Sequence, residues 1–154
     1  MLEPLVKTIE VPCSQREAFT VFVDEMHTWW PLAKFTVSAF FGAAARTLRV
    51  EAKVGGQIVE IGHDGKEHLW GTIEAYDPYD YLRTDFHIPH PDETVISRSQ
   101  VEVRFTKLAD KLTRVELTQS DWEAFGERAA ALQGGYGQGW VVIFEKAYRR
   151  ACGG

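Results

Sequence analysis

Glu60 stands in an otherwise apolar run, "QIVEIG", and is the first residue of this chain whose type and setting could do chemistry. Alternate side chains of an extended strand share a face, so if Ile58 points inward, Glu60 does too. A carboxylate facing an apolar chamber has a raised pKa and can hydrogen-bond a ligand or act as a general acid or base. If Val59 and Ile61 point inward instead, Glu60 is a surface residue, and the periodicity of so short a strand allows both. The five histidines invite a metal reading: His87 and His90 are separated by Ile-Pro, and His63 and His68 flank a turn. Pro89 and Pro91 make the first pair a loop, and neither a cysteine cluster nor a His-Glu-x-x-His helix accompanies them. Such histidines are expected in solvent, with neither metal nor cofactor. Nucleophilic chemistry has less support, for no Gly-x-Ser-x-Gly elbow occurs. Cys13, which precedes the first helix, and Cys152 are expected as two free thiols.

The run "LQGGYGQGW" places Gly134, Gly135, Gly137 and Gly139 before a long apolar-periodic segment. A phosphate cradle needs a strand just before its glycines, inside a strand-helix-strand unit. Here the preceding "EAFGERAAAL" is helical in pattern and no Gly-Lys-Ser/Thr occurs. The glycines are therefore expected to form a flexible connection that lets the last helix start abruptly and lie close to the sheet.

The elements that must position these residues follow from composition and periodicity. A chain of 154 residues, 45% hydrophobic, is expected to form one domain over residues 1–154 with one core. Its net charge of -5 argues against the basic face of a nucleic-acid binder. No segment approaches the roughly 18 apolar residues of a membrane span. The start carries Glu3 and Pro4 without a basic stretch, unlike a signal peptide, so a cytoplasmic location is expected. Five Trp, nine Phe and five Tyr must either fill the core or line a cavity.

"PLVKTIEVP" alternates as a first strand. Ser14 with Glu17 forms a capping box that predicts a helix over about 14–25. "HTWWPLAKF" reads as a second short helix or turn closed by Pro31, and "SAFFGAAA" as an irregular loop. Six strands joined by short turns follow, with Leu82, Thr84, Phe86 and Ile88, then Val101, Val103 and Phe105, then Val115 and Leu117 each on one face. Short turns require antiparallel pairing, and one apolar face per strand means one packed face. The closing helix must cover it, through Tyr136, Trp140, Ile143, Phe144, Ala147, Tyr148 and Ala151 at helical spacing.

This order, the run "GGQIVEIGHDGKEHLWGTIEAYDPYDYL", the later "VEVRF" and "TRVEL" strands, and the Gly-Trp pair at the last helix resemble the START-like, or SRPBCC, superfamily. Within it, they resemble the bacterial homologues of the heat-shock-protein ATPase activator, over about residues 5–150. One branch carries a His-Ser pair after "WWPL" where this chain has Phe35 and Thr36. The resemblance implies an α+β helix-grip fold, START-like or Bet v 1-like: a curved antiparallel sheet of six to seven strands wrapped around a long C-terminal helix, with two short helices after the first strand. It implies a small apolar or amphipathic ligand between sheet and helix. On this reading Trp30, Trp70, Phe86, Tyr136, Trp140 and Phe144 supply walls, and Glu60 or Thr84 the polar contact. Two other functions stay open: an activator of a heat-shock chaperone ATPase, and a cyclase- or dehydratase-like enzyme using a cavity carboxylate or a histidine. A homodimer is also left open.

Overall fold

A computed structural model describes residues 2–154. Strand β1 (Leu5–Val11) leads to helix α1 (Gln15–Val23), where the Ser14 hydroxyl accepts from the Glu17 amide at 3.1 Å, as the capping box predicts. Helix α1 buries Ala18, Phe19, Phe22 and Val23. Helix α2 (Met26–Trp29) stops before Pro31, with Trp30 already extended (ψ 132°) because proline disfavours helical geometry in the residue ahead of it. The expected irregular loop contains one 3-10 turn, Ser38–Phe41.

Six strands then run as a meander: β2 (Thr47–Val50), β3 (Gln57–Ile61), β4 (Glu67–Asp77), β5 (Tyr81–Phe86), β6 (Ser99–Ala109) and β7 (Leu112–Ser120). All pairs are antiparallel, and β1 joins the far side of β7 to give the order β1-β7-β6-β5-β4-β3-β2. The predicted inward sets, including Leu82, Thr84 and Phe86, are buried, except that Ile88 lies past the end of β5 and is half-buried. A bulge in the β3–β4 pairing sets Ile58 opposite Gly71 and Val59 opposite Leu69, leaving Trp70 as the extra residue.

The last part of the chain packs on the sheet. A 3-10 segment (Trp122–Arg128) runs into helix α3 (Ala129–Trp140), which continues as a π-helical stretch (Val141–Tyr148) and a final α turn (Arg149–Ala151). The glycines correct the sequence reading: Gly134, Gly135, Gly137 and Gly139 lie inside α3 rather than ahead of it. Ala129 to Leu132 are strong helix formers that start the helix one turn earlier, and it carries the glycines at a cost of about 0.5–1 kcal/mol each relative to alanine. A Cβ at Gly139 would stand 3.4 Å from the Phe35 ring, which is outside the sheet, whereas the glycine that faces the sheet is Gly137, whose Cβ would stand 3.7 Å from Leu5 of β1. The apolar stripe also ends differently: Ala151 is exposed and Cys152 buried.

Cys13 and Cys152 are free and both buried, although they stand near opposite ends of the sequence. Burial pushes the Cys13 thiol up and that of Cys152 up to about 12. The thiolate is the nucleophile, so neither cysteine should react with iodoacetamide at pH 8 in the native protein. Both should react once it is unfolded in urea, and alkylation of the native protein seen by mass spectrometry would contradict this.

Candidate functional site

Between the end of β5, the segment 34–40 and α3 lies a cavity of about 390 Å³. Its walls are largely Phe35, Phe86, Ile88, Leu132, Trp140 and Ile143. Strand alternation delivers Phe86, and α3 delivers Tyr136 and Trp140 one turn apart, with ring centroids 6.4 Å apart and nearly parallel. Gly135 and Gly139 thin the helix where it faces this space.

Three of the residues singled out from the sequence thus meet at the cavity: Phe86, Tyr136 and Trp140. Trp30 and Trp70 pack behind them with tilted rings 5.0 Å apart, and Trp30 stands 6.0 Å from Trp140. Phe144 is fully buried against Tyr148, its ring parallel at 5.6 Å. The Thr84 hydroxyl lies between the carbonyls of Thr72 and Asp85, at 3.0 and 2.7 Å.

Glu60 faces inward with Ile58, while Val59, on the opposite face, is buried too. Its carboxylate is fully occupied. Oε1 accepts from the Val37 amide at 2.7 Å and from Trp70 Nε1 at 3.1 Å, and Oε2 accepts from the Ser38 amide at 3.0 Å. The bulge that frees Trp70 from strict pairing lets its indole reach this carboxylate. Glu60 therefore fixes the segment that carries Phe35 and Phe40 over the cavity.

The polar group that does line the cavity is one the sequence did not reveal. His87 was expected in solvent with the other loop histidines, and instead it is 2% exposed. Its amide donates to the Trp70 carbonyl at 2.9 Å, and the Phe125 ring covers it at 4.8 Å. Nδ1 lies 2.8 Å from the Tyr136 hydroxyl, and Nε2 lies 2.9 Å from Glu93 Oε1. The same Glu93 oxygen accepts from the His90 amide at 3.1 Å and pairs with Arg128 at 3.2 Å. The Tyr136 oxygen accepts from the Ile88 amide at 2.9 Å.

These contacts fix the protons. Burial holds His87 below its ordinary value of 6.5, against the opposing pull of Glu93, so the ring is neutral near pH 7. Burial tends to raise Glu93, but hydrogen bonds from His87 and His90 together with Arg128 outweigh it and leave the carboxylate below its ordinary 4.5. Burial pushes the Tyr136 phenol well above its usual range. An ionised carboxylate only accepts, so the single imidazole proton sits on Nε2 and points at Glu93. Nδ1 is then the acceptor, and the Tyr136 hydroxyl donates to it.

The sign of the pH dependence follows. Both groups have folded values below their unfolded ones, so the unfolded chain takes up protons first as pH falls. His87 should erode stability as pH drops below about 6.5, and Glu93 should add a second loss below about 4.5. Urea midpoints measured from pH 8 to 4 should decline in that order, and the His87→Gln variant should lack the first decline.

A family model described as "Activator of Hsp90 ATPase homolog 1-like protein" matches residues 12–146. The chain belongs to this activator-homologue family. Solved structures similar to this family member include anthrahydroquino-gamma-pyrone synthase Txn09, at 28% identity over 85% of this chain and 84% of that one, with a TM-score of 0.59. The self-sacrificing resistance protein CalC from Micromonospora echinospora is 23% identical over 97% and 93% of the two chains, TM-score 0.66. An HSP90 activator from Plasmodium falciparum is 17% identical over 92% and 95%, TM-score 0.56. The last two likenesses are of fold, the same helix grip. Comparison with curated proteins finds no match. Among the described residues of this family member, no helix is long and apolar enough to cross a membrane.

Proposed function

We propose that this protein binds a small apolar or amphipathic molecule, flat enough to lie against Trp140, in the cavity between the sheet and α3. The observation that carries this reading is the cavity itself. Its volume of about 390 Å³ and its aromatic walls, with polar groups gathered at Tyr136, His87 and Glu93, suit a ligand site. The likeness to Txn09, named as an anthrahydroquino-gamma-pyrone synthase, supports a fused-ring ligand. Titrating fused aromatic compounds should quench tryptophan emission saturably, and native mass spectrometry should show a one-to-one adduct. If no compound shifts either signal, the reading fails.

The alternative, stimulation of a heat-shock chaperone ATPase, draws on the family description alone. It requires the cognate chaperone's turnover to rise as this protein is added. An unchanged rate at saturating protein removes it.

A further inference from the structure

We propose that Tyr136, His87 and Glu93 form a proton relay that takes the proton of a hydroxyl group on the molecule bound in the cavity, so that the ligand is a phenol or enol. This rests on the cavity being the ligand site, and it assigns the polar contact to Tyr136 rather than to Glu60 or Thr84.

Three observations support it. First, all three side chains line the cavity, although Tyr136 comes from α3 and His87 and Glu93 from opposite ends of a stretch of the loop after β5. Second, their contacts form one ordered chain: Tyr136 hydroxyl to His87 Nδ1 at 2.8 Å, and His87 Nε2 to Glu93 Oε1 at 2.9 Å. This is the base-and-orienter logic of a hydrolase triad with a phenol in the place of the nucleophile. Third, the Tyr136 oxygen accepts one bond, from the Ile88 amide, and donates one, to His87, leaving a lone pair unfilled. A ligand hydroxyl donating to that lone pair completes the phenol's coordination. An apolar wall would pack as well without this assembly, whose Glu93 Oε2 is buried with no partner.

The step balances within the groups present. The ligand O–H bond breaks and its proton bonds to the Tyr136 oxygen. The original Tyr136 O–H breaks and that proton bonds to His87 Nδ1. The products are a ligand oxyanion, a neutral tyrosine, and an imidazolium held against the Glu93 carboxylate. Lys34 lines the same cavity and supplies positive charge for the anion, while Arg128 stays paired with Glu93. The charged or titratable groups acting on His87 are Glu93 and the neighbouring His90 from the loop, Arg128 from the 3-10 segment, Arg98 ahead of β6 and Tyr136 from α3. Once His87 is protonated in acid, Nδ1 becomes a donor and the relay can accept nothing.

The test uses 4-nitrophenol, whose absorbance reports its own ionisation, and 4-nitroanisole, which has no proton to give. In the native protein the bound nitrophenol should show a phenolate-to-phenol ratio about tenfold or more above the free probe at the same pH, one unit of pKa. Tyr136→Phe and His87→Asn should abolish that shift while still binding nitroanisole. Bound nitrophenol that keeps its solution ionisation, or a shift that survives in both variants, overturns the relay and leaves the binding cavity standing. Failure of both probes to bind overturns the cavity reading and the relay with it. Should the variants misfold, 15N-histidine NMR of the native protein decides. The free protein should show the Nε2–H tautomer and the nitrophenol complex the imidazolium, and an unchanged ring on saturation overturns the proposal.

Discussion

Glu60→Gln is expected to lower the stability of the folded protein by about 3 kcal/mol or more. The carboxylate accepts from two backbone amides and one indole, all buried, and each bond to a charged group contributes about 1.5–3 kcal/mol. Glutamine keeps one accepting oxygen and turns an NH2 toward at least one donor, so a buried N–H loses its partner and meets another donor. Urea unfolding should show a lower midpoint with an unchanged slope. A shift below about 0.5 kcal/mol, the usual surface-substitution range, would mean that the carboxylate does not hold the 37–38 segment.

Gly135→Phe is expected to weaken binding of aromatic ligands by roughly a hundredfold while leaving the fold intact. Gly135 lines the cavity from α3, and a Cβ there meets nothing within 4 Å. A phenyl ring at that position occupies the ligand's space. Losing the burial of one aromatic-sized group, about 2–3 kcal/mol, corresponds to roughly a hundredfold weaker binding. Helix stability should rise by a few tenths of a kcal/mol, since phenylalanine, though a middling helix former, is better than glycine. The neighbouring Gly134 is exposed and absent from the cavity wall, so Gly134→Phe is the control and should bind normally. Equal binding by both variants in calorimetry would place the ligand elsewhere.

Local rules made most of the fold legible, because each rule acts within a few residues. Alternation set the inward faces of β5, β6 and β7, Ser14 with Glu17 announced α1, and Pro31 closed α2. Phe86 and Trp140 could be expected at the cavity for the same reason. The polar end of the site could not. His87 and Glu93 lie six residues apart on a proline-bearing loop, and Tyr136 follows 49 residues after His87, so only the folded chain brings them together. For Glu60 the alternation left both faces open, and its occupancy could not be read either, since its partners Val37 and Ser38 are 23 and 22 residues distant. The glycines misled because their weak helix preference was outweighed by the alanines ahead of them and by the surface of Trp140 and Phe144 that the helix buries.

The π-helical stretch has a geometric result for the row Tyr136, Trp140, Phe144, Tyr148 and Cys152, set at every fourth position. In a regular α-helix a fourth neighbour over-rotates by about 40°, so such a row would spiral off the sheet. The wider π turn, bonded to the fifth neighbour, rotates less per residue and cancels that drift. The row stays straight long enough for the Tyr148 hydroxyl to reach the Ala18 carbonyl at 2.7 Å and for Cys152, rather than Ala151, to be buried. A chain one residue shorter between 141 and 148 would wind that turn tighter, swing the tail about a quarter of a revolution, and unlatch the end of the helix from α1.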